Sequence, residues 1–500
     1  MERTLFAALE AAQAARRARE STWTALAEFV HPVADRFSAG PRGHKAARML
    51  YDSTALVAAE QLAAALFALV SDPALRWFRI EGSHPAWQAS AEAELRQSIG
   101  EGGQALLTQI SEALRDLVVF GTAALQVGET GDAEGLQFTS VPLDQLLLSA
   151  YGGQELGLRA RLLTLDRANA VQRWPEVYEK TLEGHAASGG DSGLQRQAAG
   201  QLEGLKGDAA EQRLSVTQLA LFEPQIDRRK PWRVVWLDSQ RRLLLSETRE
   251  VSSPLQVVRW SSSGHDAWGE GLGALVLADV KTLNLMVKLN LTAAQKAVDP
   301  PLLANEELGM RAIKTQPGAL IYGALDREGR RLIEPFVTGE QVPLGLEMEA
   351  QKRNQIRSVF MAPLSLLSNE GGTRTATEIL AGREERAWQF APVLNRIQSE
   401  LFTPILQRAL SLLVRQGKVP LPPEVPRFHF LNSFSQARRA QAAQRTLAAL
   451  DTLKPLIEAV PDMAARLDLE GAFYEVAAGL GAPLKTSAAP EAAVSGEARP

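Results

Sequence analysis

The sequence predicts an α+β fold that is mainly α. Three observations carry it. Residues 269–301, GEGLGALVLADVKTLNLMVKLNLTAAQKAVDPP, hold no Pro or Gly between Gly273 and Pro300 and read as one continuous helix. Residues 120–165 and 214–260 alternate apolar and polar positions between turn signals, as strands do. A second long helical stretch runs from Arg374 to about Gln416, interrupted by Gly382, Pro392 and Pro404, where bends are expected.

The elements follow in order. Residues 2–30 form a helix with Leu5, Leu9, Trp23, Leu26 and Phe29 as apolar points, ended by His31-Pro32. Residues 33–47 are a loop rich in Gly, Pro and Arg. Asp52-Ser53-Thr54 caps a helix through Val70. Arg76 to Ile80 alternates like a short strand, and 86–118 is helical with a break near Gly100 to Gly103. Phe120-Gly121-Thr122-Ala123 opens the β-rich section, with turns at Gly131 and Gly152-Gly153. A helix follows at about 166–180. Residues 181–212, dominated by Gly, Ala, Ser and charge, are expected to be an exposed flexible insertion. Strands resume at 214–224, 232–238, 242–248 and 255–260. Arg228-Arg229-Lys230 and Arg241-Arg242 sit at their turns as solvated charge.

The helix after Gly271 spans roughly 40 Å at ~1.5 Å per residue. One apolar row is Leu272, Val276, Val280, Leu283, Val287, Leu291, Ala294 and Val298. A second is Leu275, Met286, Leu289 and Ala293, widened by Leu277 and Leu285. Asp279, Lys281, Asn284, Lys288, Asn290 and Lys296 lie between the rows. A surface helix normally shows one apolar stripe. Two stripes call for neighbours on two sides: the core of a large monomer, or a stave in a ring of identical staves with its polar strip toward a channel. Residues 302–338, with Gln316-Pro317-Gly318, Gly323 and Gly329, read as short strands in a small α/β unit. A helix at about 344–361 leads to a loop, 362–373, and then the long bent helix. After the Pro-rich connector 419–426, helices are expected at 435–453, 455–465 and 469–479, and a disordered tail at 485–500.

Five hundred residues suffice for two to four domains. The net charge of −4 is far from the basic surplus of a tight nucleic-acid binder. There is no cysteine, hence no disulfide, thiolate nucleophile or Cys-held metal. The apolar run at 62–70 is half the ~18 residues of a membrane helix, and the N-terminus lacks the pattern of a signal peptide. No Walker A loop or Gly-x-Ser-x-Gly elbow occurs. His31, His44, His84, His185, His265 and His429 show no ligand spacing. Glu384-Glu385 reads as a solvated face. Gly269-x-Gly271-x-Gly273 lacks the remainder of a dinucleotide fingerprint and reads better as a tight helix start. No cofactor, metal or enzymatic role is expected. A nucleotide-dependent enzyme using Gly269 to Gly273 is the rival reading from that class.

The chain also resembles the head-to-tail connector, or portal, proteins of short-tailed bacteriophages, over about residues 15–430. The likeness is carried by Trp23, Pro32, Asp52-Ser53-Thr54, Arg76-Trp77-Phe78, Phe120 to Ala123, Gly269-x-Gly271, Asp279 with Leu283-Asn284, and Asp299-Pro300-Pro301. It continues through Gln316-Pro317-Gly318, Ile356 to Phe360, Thr375 to Glu378, Glu385-Arg386, Pro392, Glu400 and Pro404. The resemblance implies a homo-oligomeric ring, usually of about twelve subunits, at one capsid vertex of the virion, assembled in the host cytoplasm. Double-stranded DNA enters and leaves through it, bound transiently and without sequence specificity. It implies a wing (1–265), a first stem helix (266–298), a clip (299–338) and a second stem helix (339–361). It implies a tunnel loop (362–376), a kinked helix with connector (374–432) and a crown (433–484). Implied partners are the packaging ATPase (the terminase large subunit), a tail adaptor, the major capsid and scaffolding proteins and internal core proteins, with no membrane. Another virion ring without motor docking is the runner-up.

On that frame Lys281, Lys288 and Lys296 are candidates to line the DNA channel or else to solvate the outer wall. Lys281 and Lys288 share a face; Lys296 falls off it. Asn369, Glu370, Gly371, Gly372, Thr373 and Arg374 are the candidate constriction, with Arg374 touching phosphate or pairing with Glu378. Asn305, Glu306, Arg311, Lys314, Arg327 and Arg330 are candidates for docking on the clip.

Overall fold

The computed structural model of the chain describes residues 2–32, 50–70, 77–101, 106–130, 135–151, 154–177, 213–262, 266–304, 325, 328–335, 342–361, 392–430 and isolated positions between 443 and 476. The loop 33–47, the insertion 181–212, the loop 362–373 and the tail 485–500 lie outside them. So does nearly all of 435–479. By its packing the chain falls into two units: Met1–Phe67 with Ala89–Pro422, and Ala68–Gln88 with Pro423–Pro500.

In chain order the elements are α1 (Glu2–Phe29), α2 (Thr54–Val70), β1 (Phe78–Glu81), α3 (Pro85–Glu101), α4 (Leu106–Phe120), β2 (Thr122–Glu129), β3 (Leu136–Val141), β4 (Leu146–Tyr151), β5 (Gln154–Asp166), α5 (Arg167–Arg173), β6 (Arg213–Phe222), β7 (Trp232–Asp238), β8 (Leu243–Glu250), β9 (Leu255–Arg259), α6 (Leu272–Val298), β10 (Leu302–Ala304), β11 (Ile333–Pro335), α7 (Val342–Met361), α8 (Thr403–Arg415) and β12 (Arg427–Phe430). Among the described residues every strand pair is antiparallel, in keeping with the predicted α+β class.

The first unit holds a three-stranded sheet, β3-β2-β9, and a five-stranded meander, β4-β5-β6-β7-β8. Leu5, Leu9 and Ala12 recur at helical spacing and lay α1 on the meander, against Leu147, Leu158, Leu219, Leu221 and Val235. Ala170 and Trp174 join Leu214, Val216 and Leu245 in a second cluster. The helix expected at about 166–180 breaks at Trp174 (φ −132°, ψ 58°), because Pro175 disfavours helical backbone in the residue before it, and helical backbone resumes at 175–177. Helix α4 buries Ile110, Leu114, Leu117 and Val118. The two sheets are stitched by polar groups. Arg159 Nη1 donates to Leu255 O at 2.8 Å, Gln126 Nε2 to Gln218 Oε1 at 3.0 Å, and Arg161 to Gln126. Burial pushes the Arg159 guanidinium down to about 10, still a cation at neutral pH.

The expected bend in the last long helix takes a specific form. Residues Ile397–Phe402 make a π turn, and the N–H of Thr403 reaches back to Gln398 O. Pro404 has no N–H to offer Glu400, so the turn widens just ahead of it. In the second unit β12 pairs antiparallel with β1, Phe78 opposite Phe430 and Glu81 opposite Arg427. The sequence suggests only a connector there. Four residues are too few to stand out, and their partner strand lies far back in the chain.

The start of α6 is set by backbone packing. Gly121 follows α4 with φ +84°, and a Cβ there would overlap the backbone of Glu270 and Gly271. A Cβ on Gly271 would stand 2.5 Å from Gly121 N, one on Gly273 2.5 Å from Val119 O, and one on Gly269 would overlap Gly121 O. Gly269 N–H donates to Thr122 Oγ1 at 2.8 Å and Trp260 N–H to Gly121 O at 2.8 Å. Trp23 of α1 meets Trp268 edge-on, centroids 4.7 Å apart. The glycines are the tight helix start that the sequence suggests. Gly121→Ala is expected to destabilise the fold by about 3 kcal/mol, combining left-handed backbone strain with a backbone clash. Urea unfolding measures it; an unchanged midpoint would refute the packing argument.

Candidate functional site

Helices α6 and α7 form an antiparallel pair. The chain leaves α6 at Asp299 and returns to α7 through β10 and β11, which pair Leu302 with Pro335. The excursion over residues 302–338 therefore begins and ends at one end of the helix pair. On α6 the buried positions are Gly273, Val276, Val280, Leu283, Asn284 and Val287, one face at helical spacing.

Two polar seams flank that face. On one side α6 meets α7: Lys352 Nζ lies 2.7 Å from Asp279 Oδ1, and Asn290 Nδ2 donates to Glu349 Oε1 at 2.6 Å. Gly345 makes room, since a Cβ there would stand 2.5 Å from Asn290 Oδ1. On the other side Asn284 Oδ1 accepts Tyr51 N–H at 2.6 Å. There Lys281 Nζ sits 5.5 Å from the Phe29 ring centroid, and Lys288 Nζ 5.8 Å from that of Tyr51.

The polar strip between the two apolar rows is thus largely engaged within the subunit. The outer row is not. At about 100° per residue, Ala274, Ala278, Leu285 and Leu289 point away from the buried face, with Leu275 beside them. Leu275 is 71% exposed, Leu285 55% and Leu289 58%. The inner row is buried only as far as Val287; Leu291, Ala294 and Val298 are exposed, and of 291–298 only Ala293 is partly covered. A helix sealed in the core of a monomer does not fit these exposures among the described residues.

Helix α7 is clamped to the start of α2. Arg353 Nε donates to Asp52 Oδ2 at 2.8 Å and Arg353 Nη2 to Glu349 Oε2 at 2.9 Å. Asp52 Oδ1 accepts Thr54 N–H at 2.8 Å, so one carboxylate caps α2 and holds α7. Burial works against its charge, but the hydrogen bonds from Thr54 and Arg353 outweigh it and hold Asp52 below the usual carboxylate range. The Arg353 guanidinium is raised, chiefly by its bond to Asp52.

Of the site residues suggested by the sequence, Lys281 and Lys288 share one flank over aromatic rings, while Lys296 is exposed near the end of α6. Arg330 is exposed and paired with Glu328 on the turn closed by the Leu325–Arg331 bridge. Asn305, Glu306, Arg311, Lys314, Arg327 and Asn369 to Arg374 lie outside the described residues. The clamp residues Asp52, Glu349, Lys352 and Arg353 escape sequence reasoning as a set, because their partners are distant in the chain. A Cβ on Gly269, Gly271 or Gly273 would meet the protein's own backbone, so close packing of this helix start accounts for the three glycines. Among the described residues no group of three or more His, Asp or Glu is placed to hold a metal ion. None of the helices there is long and apolar enough to cross a membrane.

The family model described as bacteriophage head to tail connecting protein matches residues 2–486. The chain is 21% identical over 485 residues to the portal protein of Salmonella phage epsilon15, covering 91% of this chain and 83% of that one. It is 23% identical over 450 residues to a probable portal protein of Bordetella phage BPP-1, covering 84% and 77%. A solved structure, the neck of an empty GTA particle computed with C6 symmetry, holds a chain 11% identical with TM-score 0.40, covering 82% of this chain and 91% of that one.

The clamp has a pH signature. A carboxyl with a depressed folded value stabilises fully above its unperturbed value and loses that contribution as pH falls through the folded one. Asp52→Asn is expected to cost about 1–3 kcal/mol at neutral pH. That gap should stay flat down to about pH 5 and close below 3.8, the ordinary value for Asp. Urea unfolding at stepped pH reads it; a gap that closes near pH 6 would assign the effect to another group.

Proposed function

The chain belongs to the bacteriophage head to tail connecting proteins, and from that membership we propose that it is a portal subunit whose copies close into a ring at one capsid vertex and pass double-stranded DNA through its centre. The observation that carries the ring is the outer apolar row of α6, with Leu275, Leu285 and Leu289 more than half exposed. Fully burying a leucine is worth about 1.5–3 kcal/mol, so three per subunit, repeated around a ring, favour association strongly. A closed ring needs two different faces on each subunit, and α6 offers its outer row as one of them.

The charge balance suits a conduit better than a clamp. Each phosphate neutralised adds about 0.9 to the salt slope of binding. A dense cationic lining would hold the duplex. This subunit carries a net charge of −4, so the ring as a whole repels DNA and only local cations relieve it. Lys281, Lys288 and Lys296 supply sparse rings of such charge in this reading. The segment Asn369 to Arg374 supplies the constriction, on the strength of its sequence alone.

The clip, residues 299–338, forms the docking surface for the packaging ATPase and later for a tail adaptor. Asn305, Glu306, Arg311, Lys314, Arg327 and Arg330 are its polar contacts. The coat, scaffold and internal proteins meet the remaining surfaces. The role is structural, and the work of moving DNA comes from the docked ATPase.

Leu285→Glu combined with Leu289→Glu tests the ring. Both side chains are exposed, so the chain is expected to fold with unchanged circular dichroism yet stay monomeric where the unsubstituted protein forms rings. Native mass measurement and negative-stain images separate the outcomes. Rings at ordinary yield from the double variant would remove the outer row from the interface.

A further inference from the structure

We propose that the groove at the root of α6 is filled by a second copy of this chain, so that the contact between subunits continues from α6 onto the outer face of α1. The inference rests on the ring reading above. The groove has a volume of about 750 Å³. Its walls include Ala18, Thr22 and Trp23 of α1, and Trp268, Ala274 and Leu275 at the start of α6.

Three features point to a protein occupant of the same kind. Leu275 belongs both to the groove and to the exposed outer row, and Leu285 follows it by about 15 Å along the helix at 1.5 Å per residue. A neighbour that covers the row therefore arrives at the groove without a gap. The α1 wall is exposed and small, Ala18 and Thr22 presenting no side chain that fills the space from within the subunit. Finally, the charge at the groove is already cancelled or negative. Arg19 is tied to Asp266, and Glu270 is exposed at the rim. That surface offers a phosphate backbone nothing, and an apolar segment of protein a dry seat.

The absence of cysteine from the chain makes the test clean. Ala18→Cys places one thiol in the groove, and its alkylation by a maleimide is timed in monomers and in assembled rings. The expected result is alkylation at least about tenfold slower in the ring, because a thiol without access does not react. A variant that folds but no longer forms rings, while the unsubstituted chain does, supports the same conclusion. Ala18→Trp, which fills the groove, should then abolish rings and leave the monomer folded. Equal alkylation rates in monomer and ring, or full rings from Ala18→Trp, would leave the ring reading intact and overturn this proposal. Failure of the unsubstituted chain to form any ring would overturn both.

Discussion

Everything distal to Trp268 is aimed by one contact between two stretches of backbone. Gly121 and Gly271 approach so closely that neither tolerates a Cβ. The direction of α6 is therefore set by main-chain atoms, which vary little, and not by side chains that swap rotamers. Around that point the neighbours are braced. Thr122 takes the Gly269 N–H, Trp23 abuts Trp268, and Asp266 ties Arg19 while accepting the Trp268 N–H at 3.0 Å. Arg259 is gripped by Glu400 through both its backbone N–H and its guanidinium, at 3.0 Å each, which fastens the returning helix to the same sheet. A rod of this length amplifies small errors at its base, and a base built from glycine and backbone hydrogen bonds keeps those errors small.

The distribution of polarity on α6 inverts the usual rule. A helix on a soluble surface shows its charges to water and hides its apolar face. Here Asp279, Asn284 and Asn290 are spent on bonds inside the subunit, and two lysines lie over rings. What remains on the outside up to Leu289 is chiefly leucine, alanine and threonine, with Gln295 and Lys296 exposed only near the end of the helix. Polar seams of this kind cost little, because each group is paired. They fix the register of α7 against α6 more tightly than apolar packing alone, since a slip of one turn would leave Glu349 without Asn290.

Much of this was legible in the residues. The two apolar rows follow from 3.6-residue periodicity, and Gly269 to Gly273 announce a tight helix start because three glycines in five positions have few other uses. Which row turns inward was not legible. Both are apolar, and the choice depends on Phe29, Tyr51 and α7, which periodicity cannot place. The Asp52–Arg353 clamp was invisible for the same reason: local spacing rules couple residues three or four apart, not opposite ends of the unit. Strand β12 hid in a proline-rich connector. Several residues that carry the family likeness, among them Trp23, Asp52, Gly121, Gly271, Asp279, Asn284 and Glu400, turn out to be joints of the scaffold. The likeness is therefore a signal of geometry more than of chemistry.

The π turn at Ile397–Phe402 does more than ease the chain past Pro404. One extra residue in a helical turn advances the phase of everything after it by about 100°. Within the turn itself, Glu400 looks toward Arg259 on β9. Downstream, Arg408 meets Glu250 at 2.9 Å and Arg415 meets Glu129 at 2.6 Å. A single rod thereby serves two sheets whose acceptors are not in line. Its amphipathic pattern carries a dislocation, so a strict 3.6-residue ruler laid along the whole element mislabels the side chains beyond it.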